Sequence, residues 1–246
     1  MSPQRFTRTV LVTLWTGGLA AAMVALLGVP TPPPPDAGLL AHVSGLLAGY
    51  LAAVMMLLMA RTPVSEHRVG PDVLARWHAV GGRLFLALVL VHAGAAVASW
   101  AAARGQDLLT ATVSVVGLPW LGAATAGTAL FLGVVAVSVG RLRRRLSYEL
   151  WHGLHLLTYV GIALSFVHEL GGPNLAGQPV VQVLWTLLHA YALTLVLRFR
   201  VIAPLANMWR HRLRVVAVVP EADGVVSVVM QGRHVAELGV QPGQFF

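Results

Sequence analysis

Six long apolar segments, separated by short polar stretches, dominate the pattern of this 246-residue chain. Each segment is long enough to cross a hydrocarbon layer of roughly 30 Å, which needs about 20 helical residues. Because backbone groups in lipid must be hydrogen bonded within their own segment, we expect each one to be an α-helix. The predicted spans are residues 10–29, 39–60, 77–101, 120–139, 148–170 and 180–201.

The first segment is predicted to be a retained span rather than a signal peptide. Its apolar stretch is longer than the roughly 7 to 15 residues of a signal-peptide core. A rigid run of four prolines, Pro32 to Pro35, follows it.

Composition supports membrane insertion and excludes several other classes. The chain is 57% hydrophobic and 11% charged, with a mean hydropathy of +0.75, which argues against a soluble domain. The net charge of +8 comes from arginines at the ends of apolar runs rather than along one face, so nucleic acid is not a predicted partner. The absence of cysteine excludes disulfides, iron–sulfur clusters, c-type haem and thiolate zinc sites.

The arginines also predict an orientation, because positively charged loops stay on the cytoplasmic side of a membrane. They cluster before span one, between spans two and three, between spans four and five, and after span six, whereas the three opposite loops contain only Arg104. We therefore expect a multi-pass protein of the cell (plasma) membrane with both termini in the cytoplasm. Odd-numbered spans then run outward and even-numbered spans run inward.

Four histidines within the spans carry the candidate chemistry, since metal-binding side chains inside a membrane are costly and usually functional. His78 and His92 on the third span are fourteen residues apart, which is about 21 Å of helical rise and within roughly 40° of one face. His155 and His168 on the parallel fifth span are thirteen residues apart, about 19.5 Å of rise. The two pairs therefore match in depth.

Two parallel helices that present imidazoles at two matching depths can hold two stacked haems. We expect His78 and His155 to form the site nearer the cytoplasm, and His92 and His168 to form the site nearer the outside. Bis-histidine ligation fills both axial positions of iron and suits electron transfer. The thirteen-residue spacing leaves His168 about 140° around the helix from His155. Either the haems are offset sideways or the fifth helix is distorted, with Gly161 as the candidate position.

Other interpretations of the histidines remain open. Each can be an ordinary interhelical hydrogen-bonding residue, which would make the chain a haem-free bundle or a small-molecule transporter. Zinc or non-haem iron fits less well, because such sites use carboxylates or closely spaced histidines. The acids within the predicted spans are only Glu149 and Glu169, at the span ends.

His152 is an alternative ligand, because it lies one turn before His155. Sixteen residues separate it from His168, which matches the spacing on the third span less well. His42 and His189 are predicted to pack or hydrogen bond, with a role in a substrate or proton route as the alternative. The histidines outside the spans are expected to be solvated, and these are His67, His211 and His234.

Two arginines and one aromatic residue are further candidates near the haem sites. Arg76 and Arg83 lie near the inner layer and can neutralise haem propionates, although snorkelling to the interface is an equal alternative. Phe85 falls midway between His78 and His92, where its ring can lie between the haems or simply pack.

Two sequence stretches carry a family resemblance. They are Trp77-His78-Ala79-Val80-Gly81 with His92, and Tyr148-Glu149-Leu150-Trp151-His152-Gly153-Leu154-His155 with His168. With the six-span layout, they resemble the ferric reductase-like transmembrane domain shared by NADPH oxidases, ferric reductases and bacterial relatives. The likeness covers roughly residues 39–200. Further on, Pro242-Gly243-Gln244-Phe245 looks like an element near the start of the FAD-binding barrel of ferredoxin-reductase-type flavoproteins.

The resemblance implies a membrane flavocytochrome oxidoreductase with two b-type haems. In that family, cytosolic NAD(P)H reduces FAD, and electrons pass through the inner and then the outer haem to oxygen or ferric iron outside. Carried over, His78 and His155 are the inner ligands, and His92 and His168 are the outer ligands. The alternative is a haem-bearing membrane subunit that relays electrons to or from a separate partner protein, such as the haem subunit of a periplasmic repair reductase.

The region after the last span is patterned like the beginning of a β domain. Valine-rich runs at 213–219 and 225–230 flank Asp223-Gly224, a hairpin turn signal. Because too few residues follow to close a barrel, and the later flavin-contacting and NAD(P)H-binding motifs are absent, we expect a domain cut short and a chain that is catalytically incomplete alone.

The predicted fold class is an all-α membrane protein, a six-helix transmembrane bundle followed by the truncated start of a cytoplasmic β-barrel domain. The predicted divisions are 1–36 for the first span and outer proline-rich loop, 37–203 for the haem-binding transmembrane core, and 204–246 for the incomplete FAD-binding β domain.

Overall fold

The computed structural model describes residues 3–24, 26, 36–172 and 175–239. The helices in these ranges are α1 Pro3–Val24, α2 Ala37–Ala60, α3 Pro63–Arg68, α4 Pro71–Arg104, α5 Leu108–Val116, α6 Leu121–Ser138, α7 Gly140–Arg143, α8 Tyr148–Gly171, α9 Pro179–Val196 and α10 Ala203–His211. Six of the helical segments are long and apolar enough to cross a membrane, which confirms the predicted number of spans. The first helix begins at Pro3 rather than near residue 10, and the sixth segment extends to His211 rather than ending near residue 201. The proline run Pro32 to Pro35 and the Pro242-Gly243-Gln244-Phe245 element lie outside the described residues.

Helix α2 is the centre of the bundle because its sequence is apolar on every side. None of its 24 residues is charged, and a helix that is apolar all round is normally buried. Helices α1, α4, α8 and α9 all contact it. Leu46 of α2 packs in a buried cluster with Trp185 of α9, and Met56 packs in another with Val196.

Helices α6 and α8 form a second close pair. A Cβ atom at Gly127 of α6 would come within 2.8 Å of the Gly161 carbonyl oxygen and of the Ser165 hydroxyl on α8. A Cβ atom at Gly161 would come within 2.6 Å of the Phe131 ring. Small residues permit such close approach between membrane helices, which are held together by packing rather than by the hydrophobic effect.

The two helices that carry the four candidate histidines have different principal neighbours. Helix α4 packs along α2, and helix α8 packs along α6. The backbones of α4 and α8 do not pack closely on each other, so these two helices contact each other mainly through side chains. This arrangement places the histidines between two pairs of closely packed helices.

A short helix, α5, follows the third span and was not predicted from the sequence. The Asp107 carboxylate caps it by accepting hydrogen bonds from the Leu109 and Thr110 backbone N–H groups, at 2.9 and 3.0 Å. The Thr110 hydroxyl also donates to this carboxylate, which lowers the pKa of Asp107. Leu109 and Val113 are 75% and 68% exposed.

The sixth span continues beyond α9 without a break in the helix. A π-helical turn, Leu197–Ile202, joins α9 to α10, so one helical rod extends over 33 residues, Pro179–His211. The wider turn precedes Pro204, which lacks a backbone N–H group and would disturb a regular α-helix there. The predicted domain boundary between 203 and 204 falls inside this rod, and the predicted division into domains stays a prediction.

A β-hairpin follows the rod, as the valine-rich pattern predicted. Strand β1, Arg214–Ala222, pairs antiparallel with strand β2, Val225–Gln231. Gly224 supplies the positive φ angle, +74°, that the turn requires. All residues of both strands are exposed.

The hairpin is attached to the end of α10. The Arg233 backbone N–H donates to the His211 carbonyl oxygen at 2.6 Å, and the His211 Nδ1 atom lies 3.2 Å from the Arg233 carbonyl oxygen. Arg210 forms an ion pair with Glu237 and thereby lowers the pKa of that carboxyl. His211 is only 5% exposed, so the expectation that it is solvated was wrong.

The glycine contacts between α6 and α8 generate a stability prediction. We expect Gly127→Ala and Gly161→Ala each to lower the free energy of unfolding by about 1–3 kcal/mol, because the added methyl group overpacks a filled contact. The matched control is Gly133→Ala on α6, where no atom lies within 4 Å of the added Cβ. Thermal unfolding in detergent measures the difference, and equal melting temperatures for Gly127→Ala and Gly133→Ala would contradict the close contact.

Candidate functional site

The structure brings the predicted inner pair together. The ring centres of His78 on α4 and His155 on α8 are 5.9 Å apart, and the two ring planes are 74° from parallel. Both residues are half-buried. We call these two residues the inner pair, after the predicted orientation.

The predicted outer pair meets in the same way at the other depth. The ring centres of His92 on α4 and His168 on α8 are 6.0 Å apart, with an interplanar angle of 37°. These two residues are called the outer pair. The depth match that was predicted from helical rise is therefore present in the folded chain.

Both separations fit an iron ion held between two imidazoles. An imidazole nitrogen binds a first-row metal at about 2 Å. Its ring centre lies about 1 Å further away, so two trans imidazoles on one haem iron have ring centres roughly 6 Å apart. The two pairs have nearly the same separation at the two depths, as two similar ligand sites would require.

The hydrogen bonds of the outer pair also suit metal ligation. The His92 Nδ1 atom lies 2.8 Å from the Ala41 carbonyl oxygen, and the His168 Nδ1 atom lies 2.6 Å from the Ser165 carbonyl oxygen. Because a carbonyl oxygen only accepts, Nδ1 carries the proton in both rings and the Nε2 lone pair is available to a metal.

The inner pair differs from the outer pair in the hydrogen bonds of its rings. The Nδ1 atoms of His78 and His155 are buried and make no hydrogen bond of normal geometry within the described part of the chain. The Met55 backbone lies close enough to the His78 ring to interact with it. No strong hydrogen bond from Nδ1 therefore fixes the tautomer of the inner rings, in contrast to the outer pair.

Open space exists beside the inner pair. A Cβ atom added at Gly82, one helical turn beyond His78 and on the same face of α4, would meet nothing within 4 Å. Side chains that line a packed helix interface would fill such positions. The donor set, the spacing and the open space together fit a haem group.

His155 rather than His152 faces His78. The His152 ring stacks on Tyr148, with ring centres 5.7 Å apart and planes 9° from parallel. Trp151 stacks on His155 at 5.3 Å. The Trp151 indole N–H donates to the Ser138 hydroxyl of α6 at 3.1 Å, which fixes the indole beside His155. The contact between Trp151 and His155 was not predicted from the sequence, although their four-residue spacing places them on one helix face.

The thirteen-residue spacing on α8 does not require a break in the helix. Helix α8 is continuous through Gly161. An unwound turn at Gly161 is therefore not observed, and the sideways offset between the two haems stays a prediction.

Arg76, Arg83 and Phe85 are placed differently around α4. Both arginines are exposed, and in an ideal helix they lie roughly 140–160° around the axis from His78. Their role as partners of haem propionates gains no support from contacts and stays a prediction. Phe85 shares the face of the histidines, and its ring packs edge-on against Phe131 of α6 at 4.9 Å.

A buried polar cluster that the sequence did not predict lies next to the outer pair. The Trp185 indole N–H on α9 donates to the Glu169 carboxylate at 2.8 Å. His189, only 6% exposed, has its Nδ1 atom 3.0 Å from the Trp185 carbonyl oxygen. His42 lies close enough to His92 and to Asp36 to interact electrostatically. His189 is therefore buried and hydrogen bonded, as the sequence analysis predicted.

Clusters of three or more histidine, cysteine or acidic side chains that could hold a metal ion do not occur among the residues described. Within this part of the chain, the candidate metal ligands are therefore the two histidine pairs. Two imidazoles alone do not complete the coordination of an iron ion, and a porphyrin supplies the remaining nitrogen donors.

Residues 44–166 match the model of the family described as "Ferric reductase like transmembrane component", which is half of the chain. The chain belongs to this family. The resemblance inferred from the histidine spacing is thus confirmed, and the protein is a multi-pass membrane protein of a ferric reductase-like type.

The family match covers spans two to four and most of span five. It contains His78, His92 and His155, and it ends two residues before His168. Membership implies transmembrane electron transfer and an oxidoreductase role. No curated protein matches the chain significantly.

The buried Glu169 contact generates a second stability prediction. We expect Trp185→Phe to lower the free energy of unfolding by about 1–3 kcal/mol, because the buried carboxylate loses its indole donor. Trp209→Phe is the matched control, since Trp209 is 73% exposed. Thermal unfolding in detergent should separate the two variants, and a Trp185→Phe protein as stable as the control would show that the Trp185 contact does not stabilise the bundle.

Proposed function

We propose that this chain is the electron-conducting membrane module of a flavocytochrome oxidoreductase, with two b-type haems bound at the two histidine pairs. The observation that carries the proposal is the presence of two imidazole pairs with ring centres 5.9 and 6.0 Å apart on α4 and α8. Family membership supports the same function at a coarser level.

The four histidines have defined roles in this proposal. His78 and His155 hold the inner haem, and His92 and His168 hold the outer haem. When bound, the haems supply one-electron chemistry at iron. Each pair would hold its haem from two helices at once, which would keep the group in place between α4 and α8.

The bundle contributes insulation and position. Helix α2 lies behind α4 and helix α6 lies behind α8, so each ligand-bearing helix is held by a closely packed neighbour. The apolar composition of these helices would keep water away from the proposed haem sites. Arg76 and Arg83 remain candidate partners of the inner haem propionates, and Phe85 remains a candidate for the space between the layers.

The direction of electron flow follows from the predicted orientation. Cytoplasmic NAD(P)H and FAD are the proposed reductants, and oxygen or ferric iron is the proposed acceptor on the outer side. The hairpin that begins at Arg214 is where the proposal places the start of the FAD-binding domain. This hairpin is attached directly to the helical rod of span six through His211.

Haem content and ligand substitution test the proposal. Purified protein should show reducible b-type absorbance bands and about two haems per chain. We expect His92→Leu and His168→Leu each to lose one haem, and His78→Leu and His155→Leu each to lose the other, because an iron with one imidazole is weakly held. Haem extraction and difference spectra measure the content.

His152→Leu is the matched control for His155→Leu. The two residues are one helical turn apart, and only His155 faces His78. His152→Leu should retain both haems. A protein that is expressed with adequate haem supply and contains none would refute the proposed function, and loss of haem in His152→Leu alone would refute the inner-pair assignment.

Cysteine labelling tests the orientation. Because the natural chain has no cysteine, single cysteines can be placed at Val64 in α3 and at Thr112 in α5, both exposed. A membrane-impermeant maleimide added to intact cells should label Thr112→Cys but not Val64→Cys, and both should react after lysis. Labelling of Val64→Cys in intact cells would reverse the predicted topology.

A further inference from the structure

The ring of His92 is held by a helix that carries no proposed haem ligand. Its Nδ1–H group donates to the Ala41 carbonyl oxygen of α2 at 2.8 Å. The same carbonyl is 3.3 Å from the Ser44 hydroxyl. A backbone carbonyl of α2 is therefore shared between the hydrogen bonds of its own helix and a side chain of α4.

This contact depends on the absence of a side chain at Gly45. In an α-helix each Cβ is tilted toward the N-terminus, so the Cβ of residue i+4 covers the carbonyl of residue i. A Cβ atom at Gly45 would come within 2.7 Å of the His92 Nδ1 atom and 2.9 Å of its Cε1 atom. The ring of His92 occupies the space that any other residue at position 45 would need.

The two histidine pairs consequently differ in the hydrogen bonds of their rings. Both Nδ1 atoms of the outer pair have a backbone carbonyl partner. Both Nδ1 atoms of the inner pair are buried without a hydrogen bond of normal geometry in the region described. A hydrogen bond from Nδ1 fixes the tautomer of an imidazole ligand and raises its basicity at Nε2.

We propose that Gly45 is a positioning residue for the outer haem, because it admits the His92 ring to the Ala41 carbonyl and so makes the outer iron site electronically distinct from the inner one. This inference rests on the proposed function, since it assumes a haem at each pair. It adds α2, which holds no ligand, to the elements that determine the properties of the site.

The direction of the effect follows from ligand chemistry. A more basic imidazole stabilises ferric over ferrous iron, so a hydrogen-bonded pair lowers the reduction potential of its haem. The outer haem is therefore expected to have the lower potential. The ring planes differ as well, 37° in the outer pair and 74° in the inner pair. Because each imidazole plane selects the iron d orbital with which it overlaps, the two ferric haems should give distinct EPR signals.

The test compares Gly45→Ala with Gly94→Ala. Gly94 lies two residues from His92 on α4, and no atom lies within 4 Å of a Cβ added there. In Gly45→Ala, we expect the EPR signal of the outer haem to shift and its midpoint potential to become more positive, with the inner haem unchanged. In Gly94→Ala, neither haem should change. The outer signal is identified as the one that is missing in His168→Leu.

The wild-type protein supplies a readout that needs no Gly45 variant to assemble. A membrane-impermeant dysprosium complex, added to the outside of sealed vesicles, should enhance the relaxation of the lower-potential and less anisotropic haem signal. Enhancement of the other signal would overturn the inference, as would a Gly45→Ala protein whose spectra and potentials equal those of Gly94→Ala. A wild-type protein without haem would instead overturn the proposed function.

Discussion

Water is absent from the interior of a bilayer, and each polar group inside the bundle therefore needs a partner within the protein. This constraint explains many contacts in the structure. The rings of His92, His168 and His189 lie on backbone carbonyl oxygens, and the Glu169 carboxylate accepts from the Trp185 indole. Within the described part of the chain, the Nδ1 atoms of His78 and His155 depart from this pattern, as does the Trp100 indole N–H group.

Glycine is what allows these polar contacts to form between helices. At Gly49 of α2, a Cβ atom would come within 2.7 Å of the Glu169 carboxylate and 2.8 Å of the Trp185 ring. Gly45 plays the same part for His92 one turn earlier on α2. Two successive glycines of one helix thus receive side chains from three other helices, α4, α8 and α9. Packing and chemistry in this region depend on the same positions.

Much of the fold and of the candidate site followed from the sequence because both depend on periodic features. Apolar length determines the spans, and a rise of about 1.5 Å per residue brings His78 level with His155 and His92 level with His168. Helix α5, the π-helical turn and the buried side of His211 were not predicted. These features depend on helix capping, on a local response to Pro204 and on docking of the hairpin. None of these interactions produces a repeating pattern of apolar residues that could be recognised in the sequence. The contacts of His92 with Ala41 and of Glu169 with Trp185 join residues that are distant in the chain, so only the folded structure shows them.

The helical rod from Pro179 to His211 has a mechanical consequence. At about 1.5 Å per residue it is about 50 Å long, which exceeds a hydrocarbon layer of roughly 30 Å. It connects Trp185 and His189, beside the outer pair, to the hairpin at its far end without a flexible linker. The hairpin and the surroundings of Glu169 are therefore joined by one continuous helix rather than by a loop.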